Sequence, residues 1–219
     1  MRATRDGARD GAATRRRLVD AAVDCLIEVG VAGTSTLAVQ RRAGVSRGAL
    51  LHHFPSHAAL LAASIAALVA RNEKAVSRSR ANLRRSGDPL EEAVRSLAFA
   101  ARQPAYLAEL ELWAVARTDD ALKRALIEAE RAARRDIDRV SAALFGEWTR
   151  SRTYDDVVSL TLHFLRGLAI SENVRSSARR REHLIAAWVD AMRPVLARGL
   201  DERDARTRRA GKPPAAAPR

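Results

Sequence analysis

The sequence predicts an all-α protein, and three observations carry that expectation. Ala, Leu, Arg and Glu dominate the composition, and these residues favour helices. Strand-type runs of Val, Ile, Thr and aromatic residues are nearly absent, and aromatics make up only 4% of the chain. Apolar residues instead recur at three- and four-residue spacing through long stretches. With 219 residues, 47% of them hydrophobic, the chain can bury a sizeable core in one or two domains.

About nine helices follow in order. Residues 1–13 hold Arg, Asp, Gly and Ala without periodicity and read as a disordered basic arm. Thr14 caps a first helix through Val29, with Leu18, Ala22, Cys25, Leu26 and Val29 on one face. Gly30 ends it. A short second helix spans Thr36 to Ala43, with Thr34 or Ser35 as its cap. Leu37 and Val39 cannot share the centre of one face there, and Val39 is the expected core residue. Gly44 supplies a sharp turn, and Ser46 caps a third helix that Pro55 stops near Phe54.

Ser56 caps a long fourth helix with the stripe Leu60, Leu61, Ile65, Leu68 and Val69, ending near Ser86-Gly87. Asp88-Pro89-Leu90-Glu91-Glu92 combines a cap, a first-position proline and first-turn acids, and opens a fifth helix to Ala101. Pro104 opens a sixth, carrying Tyr106, Leu107, Leu110 and Trp113. Thr118 or Asp119 caps a seventh, whose apolar period runs from Leu122 through Leu144 to Trp148. Thr153 and Asp156 resemble a capping box for an eighth helix, Tyr154 to Ile170. That helix is apolar on most sides and is expected to be buried on more than one face. A ninth runs from Ser177 to Arg198, striped by Leu184, Ile185, Trp188, Val189 and Met192. Residues 200–219 read as a disordered tail.

The stretch TSTLAVQRRAGVSRGALLHHFPSHAALL, Thr34 to Leu61, sets two short helices around the turn Gly44-Val45-Ser46. This is the layout of a helix-turn-helix, whose second helix lies in the major groove of DNA. The formal net charge of +13 and a pI near 11.3 fit such a partner. Charge alone would point equally to RNA or an anionic membrane, and a GC-rich genome yields the same arginine content. The basic residues form no single amphipathic stripe, which speaks against a membrane surface.

The string Ala43 to Leu50, followed by His53-Phe54 and Leu60-Leu61, resembles the DNA-binding domain of the TetR family of bacterial transcriptional regulators. The first helix, LVDAAVDCLIEVG, resembles the helix that precedes the motif in that family. The resemblance covers residues 14 to 61, with a less specific likeness over Trp113 to Leu126. It implies an N-terminal three-helix DNA-binding domain (14–60) and a C-terminal helical ligand-binding and dimerisation domain (61–199). Val39, Val45, Leu50 and Phe54 would hold the three-helix core. Thr34, Ser35 and Thr36 would contact phosphate or base edges from a helix N-terminus. Arg47, Gly48 and Ala49 would face the major groove, Arg47 toward guanine O6 and N7, Gly48 and Ala49 allowing close approach and methyl contact with thymine. His52 and His53 would reach the flanking backbone, as would His57.

Two positions depart from the family pattern. Leu51 stands where a tyrosine commonly bonds phosphate. His57 stands where a lysine is common, and an imidazole carries only part of a lysine's charge near neutral pH. Arg2, Arg5, Arg9 and Arg15 to Arg17 add non-specific phosphate attraction.

The second half carries no Gly-rich phosphate loop, no nucleophile elbow and no metal spacing, so neither an enzyme nor a cofactor is expected. A His53–His57 metal pair would need one continuous helix, which Pro55 interrupts. Cys25, alone, reads as a small core hydrophobe. In the family a small molecule binds among the middle helices. Here Phe99, Tyr106, Trp113, Phe145, Trp148, His163 and Phe164 are the candidates, suited to an apolar or aromatic effector. His163 lies in a strongly apolar stretch. The last two helices carry more apolar surface than one small domain needs, and the resemblance implies a two-fold dimer built on them, reading a palindromic operator.

The expected function is thus a ligand-responsive transcriptional regulator, a repressor released by its effector. A DNA-binding architectural protein without a ligand is the alternative. With no signal peptide and no run of about 18 apolar residues, the expected location is cytoplasmic.

Overall fold

The computed structural model describes residues 2–82 and 87–210. They form nine α-helices and one 3-10 helix, with no strand among them: α1 (Arg2–Gly33), α2 (Thr36–Ala43), α3 (Arg47–His53), α4 (His57–Asn82), α5 (Pro89–Ala100), α6 (Pro104–Ala116), α7 (Asp120–Phe145), the 3-10 segment (Gly146–Arg150), α8 (Tyr154–Glu172) and α9 (Ala178–Ala210). The chain divides into two compact units. One holds Met1–Ala81 and Phe99–Arg139, the other Asn82–Ala98 and Val140–Arg219.

In the first unit the apolar faces of α1 to α4 close over α6 and the start of α7. Leu18, Ala22, Leu26, Val39, Leu50, Leu60, Ile65, Leu68, Leu112 and Leu122 are almost wholly enclosed. Cys25 is buried among them, in keeping with its reading as a core residue. Two corrections concern α1. It begins at Arg2 rather than after a cap at Thr14. The helix propensity of the Ala- and Arg-rich start outweighs Gly7 and Gly11, which cost about 1 kcal/mol each. Its regular geometry breaks at Gly30 (φ 70°, ψ −176°). Val29, just before the break, is therefore exposed at 57%, and Val31, just after it, is buried in its place.

Several helix starts form the side-chain caps expected of them. Ser56 Oγ accepts from Ala59 N–H at 3.0 Å, Asp119 Oδ1 from Leu122 N–H at 2.8 Å, and Ser177 Oγ from Arg180 N–H at 3.3 Å. At α5, Asp88 Oδ1 accepts from Leu90 N–H while Glu92 reaches back to Gly87 N–H. Gln103 makes no side-chain cap at α6, and neither does Thr153 at α8. The Thr153 hydroxyl donates to Val195 O at 3.0 Å, and Ser151 donates to Leu196 O at 2.8 Å, so α9 takes both groups.

The second unit brings further corrections. The period of α7 does not reach Trp148, because Gly146 (φ 54°) ends the helix and the 3-10 segment redirects the chain. Helix α8 buries one face, with Val157, Thr161, Leu165 and Ala169, while Leu160 and Ile170 are each 52% exposed. The apolar excess read from the sequence lies on a face that this single chain leaves open. Helix α9 continues past Arg198 to Ala210, with Pro194 inside it, and residues 211–219 lie outside the described set.

Gly199 shows why a glycine sits within α9. A Cβ there would lie 2.1 Å from Ser151 Oγ, 2.8 Å from Thr153 Oγ1 and 3.1 Å from Arg152 N. The corner before α8 docks on bare backbone, with Arg152 N–H donating to Gly199 O at 3.3 Å. Gly199→Ala is expected to destabilise the protein by about 1–3 kcal/mol through overpacking, read as a lower midpoint in urea unfolding.

Asp88 also pairs with Arg193, whose Nη1 donates to its Oδ1 at 3.2 Å. That bond above all, with backbone donors at Glu91 and Leu90 against the effect of burial, holds the Asp88 carboxyl below its ordinary range. The contribution is present above the unfolded pKa of about 4 and is lost as pH falls through the lower folded value. Asp88→Asn should therefore melt below wild type at pH 7, and the gap should close in strong acid.

Candidate nucleic-acid interface

Two serines and one glycine build the motif. Ser35 Oγ accepts from Ala38 N–H and Ser46 Oγ from Ala49 N–H, both at 3.1 Å, which starts α2 and α3. Gly44 takes the left-handed conformation (φ 62°, ψ 42°). Its N–H donates to Arg41 O, and Val45 N–H donates to Gln40 O, each at 3.2 Å, which satisfies the last carbonyls of α2. Val39, Leu50 and Phe54 are buried as expected, and half-buried Val45 packs against the same core.

The arginines of α1 and α2 grip this motif. Arg17 Nη2 donates to Ala43 O at 2.5 Å and to Gly44 O at 3.3 Å, placing a cation at the C-terminus of α2. Arg15 lies over the Phe54 ring, 5.1 Å from its centroid. Arg42 pairs with Glu28 at 2.6 Å and touches Cys25 Sγ at 3.8 Å. That carboxylate bond holds the Arg42 guanidinium above its ordinary range. Arg71 of α4 pairs with Asp24 of α1 at 2.7 Å. Sequence reading assigned Arg15 to Arg17 to phosphate attraction. The role of Arg17 at the turn depends on a partner 26 residues away, which no local pattern reveals.

The expected DNA-facing residues separate into two groups. Arg47 and Gly48 are exposed at the start of α3, Ala49 is half-buried beside them, and His52 is exposed with His53 half-buried one turn on. The two imidazoles meet edge to face at 5.3 Å. Arg47 makes no ion pair among the described residues, and neither α2 nor α3 has an acid in its first turn. An anion therefore meets two uncompensated helix N-termini. Ser35 is exposed with its hydroxyl engaged as the cap, and Thr36 is half-buried.

Thr34 and His57 form the second group, each engaged in a bond within the unit. Thr34 is 1% exposed, and its hydroxyl donates to Gly30 O at 2.6 Å, closing the kink in α1. Its carbonyl accepts from His57 Nε2 at 2.5 Å, which ties the start of α4 to the α1–α2 turn. A threonine after a glycine kink finds its partner in the freed backbone before it can reach outward.

One further residue lay beyond sequence reading. Glu111 Oε1 on α6 accepts from Val31 N–H at 2.9 Å, satisfying the donor released by the break at Gly30. A Cβ at Gly30 would lie 2.9 Å from both Glu111 oxygens, so the glycine is needed for its φ and for this contact.

The aromatic candidates divide between the units. Phe99 is exposed, and Tyr106 and Trp113 are half-buried, in the first. In the second, Phe145 is fully buried, edge-on to Tyr154 at 5.8 Å, and Phe164 stacks on Trp188 at 4.7 Å. Trp148 is half-buried, and its indole N–H is enclosed with no acceptor. His163 is exposed, its Nδ1 donating to Ser159 O at 2.7 Å. The apolar setting expected for it is corrected, since it points from the open face of α8. Among the described residues no single helix is long and apolar enough to cross a membrane.

Comparisons with known proteins agree with this geometry. Residues 18–64 match the family described as bacterial regulatory proteins, tetR family. An uncharacterized HTH-type transcriptional regulator of Mycobacterium tuberculosis (strain CDC 1551) is 30% identical over 173 residues, covering 78% of this chain and 89% of that protein. The HTH-type transcriptional regulator CymR of Pseudomonas putida is 28% identical over 196 residues, 84% of this chain and 92% of that protein. Among solved structures, a TetR-family transcriptional regulator from Rhodococcus sp. superposes with a TM-score of 0.62 at 22% identity, covering 84% of this chain and 99% of that one. The multidrug binding protein EbrR complexed with imidazole gives 0.57 at 21% identity, over 80% of this chain and 93% of that one. At these identities the two structures establish the shared fold.

Gly48 yields a test of the open surface. A Cβ there would meet nothing nearer than Ser46 Oγ at 4.0 Å. Gly48→Ala should therefore stabilise the free protein by up to about 1 kcal/mol. If α3 enters the major groove as the resemblance implies, the variant should also weaken specific duplex binding, because the added methyl would stand between Gly48 and the bases. Thermal unfolding and titration with labelled duplex read the two opposite changes.

Proposed function

The chain belongs to the tetR family of bacterial regulatory proteins and is a DNA-binding transcriptional regulator, and on that premise we propose a homodimeric repressor that releases a palindromic operator on binding a small apolar or aromatic effector. The observation that carries the DNA half of this reading is Arg47, exposed and without an ion pair among the described residues at the N-terminus of α3. Its guanidinium is free to bond guanine O6 and N7, while Ser35 and Thr36 bring the start of α2 to the phosphates. We assign Thr34 and His57 to holding that start in place.

The dimer reading rests on α8. Leu160 and Ile170 are half-exposed and Val174 is 91% exposed. Leu160, Gly167 and Ile170 share one face of α8, Val174 follows just past its end, and a second copy related by two-fold symmetry would cover them. One motif reads few base pairs, and two copies placed a helical turn apart read a palindrome.

For the effector, the neighbour EbrR is known in complexes with imidazole and with proflavin. We carry a small, flat, apolar or aromatic ligand over to this chain by analogy. Trp148 leads the proposed contacts, because its enclosed indole N–H lacks an acceptor that a polar group on the ligand would supply. Phe164 joins Trp148 in the second unit, and Phe99, Tyr106 and Trp113 are kept as separate candidates of the first. Phe145 serves the core and His163 the open face of α8. Release requires the ligand to bind the non-operator state more tightly than the operator-bound one. The Glu111 bond at the Gly30 kink couples a shift of α6 to α1 and, through Arg17, to the reading helix. The site of action is the bacterial cytoplasm, where the chromosome lies.

Sequences enriched from random DNA should contain a palindrome. On that site Arg47→Ala should lose about 1–3 kcal/mol per half-site and relax preference at one position in each half. Equal footprints for wild type and variant would refute the reading.

A further inference from the structure

We infer that Leu51 is a specificity-determining residue that reads the 5-methyl group of a thymine beside the guanine bound by Arg47. The inference rests on the assignment of α3 as the helix that enters the major groove. An exposed leucine is ordinary by itself, and the place of this one is what matters. Leu51 is 45% exposed, whereas Leu50 and Phe54 are 1% and 3% exposed, so one side of α3 faces the core and Leu51 faces away. It lies one turn after Arg47, on the same side of the helix. Helical side chains lean toward the N-terminus, so the Leu51 isobutyl group covers the turn that carries Arg47 and Gly48. Gly48 has no side chain and nothing within 4 Å of its missing Cβ but Ser46 Oγ. The surface there is an apolar step beside a guanidinium.

Leucine has no donor or acceptor, so it reads neither phosphate nor the polar edge of a base. The one apolar mark in the major groove is the methyl group at C5 of thymine, which cytosine lacks. Contact of the isobutyl group with that methyl excludes water from both. The residue that forgoes a phosphate bond at this position thereby contributes to base choice.

The test uses the full-length protein on its enriched site, with each thymine of one half-site replaced singly by deoxyuridine. At one position wild type should bind the deoxyuridine duplex about fourfold more weakly, the worth of one buried methyl group. Leu51→Ala should bind the two duplexes equally there. Because Leu51 is exposed, the variant should keep the wild-type circular dichroism and melting curve. Wild type indifferent at every thymine, or Leu51→Ala with the full difference retained, would overturn the inference. Arg47→Ala separates the two assignments. If it protects the site as wild type does, the reading of α3 falls. If it loses the site while no thymine responds to methyl removal, only the role of Leu51 falls.

Discussion

Arg17 holds the turn of the helix-turn-helix from outside the motif, and the direction of α3 depends on that bond. Helices α2 and α3 span eight and seven residues, too short to be stable alone. Their local caps fix where each begins, and Gly44 in the left-handed region fixes the turn. Neither sets how firmly the pair sits on the rest of the unit. Val39, Leu50 and Phe54 supply the non-directional part by burial. The directional part is the guanidinium at the carbonyls of Ala43 and Gly44, where the partial negative charge of the α2 C-terminus is greatest. A base-reading side chain works only within a few tenths of an ångström, so a clamp that adds direction matters more than its modest energy suggests.

A second constraint acts at the other end of the motif. The kink at Gly30 releases backbone groups that must find partners. Three residues supply them, each from a different element. Thr34 takes the Gly30 carbonyl, Glu111 takes the Val31 N–H, and His57 takes the carbonyl of Thr34 in turn. The start of α2, where a phosphate would bind, is therefore tied to α1, α4 and α6 at once. Under the proposed effector reading such a junction is required, since a ligand would act on DNA only through contacts that differ between two states.

Most of the fold was legible in the sequence because it is written in local signals. The caps Ser35, Ser46, Ser56, Asp88 and Asp119, the turn at Gly44 and the stops at Gly30 and Pro55 each act within four residues. Errors arose where a distant group outbid the local one. Thr153 gives its hydroxyl to α9, so the capping box never forms. Gly199 lies within a helix that was expected to end before it, because a corner 48 residues earlier docks on its backbone. The exposed start of α3 was legible at Arg47 and Gly48. Thr34 was not, because its burial follows from a kink geometry that its neighbours in sequence do not encode.

His163 and the α8 face show how a correction sharpens function. An apolar helix in sequence suggests burial on all sides, yet the single chain covers only the side with Val157, Thr161, Leu165 and Ala169. Trp188 completes that side, stacking on Phe164 and donating to Thr161 Oγ1 at 3.0 Å. The remaining apolar surface, with Leu160 and Ile170, is the face on which the proposed dimer rests. The same logic applies to α3. His57 is engaged internally and Leu51 cannot bond phosphate, so each copy anchors the DNA backbone with few groups. In the proposed dimer, doubling the contacts through a symmetric partner would supply what one copy lacks and would make assembly and base reading a single coupled requirement.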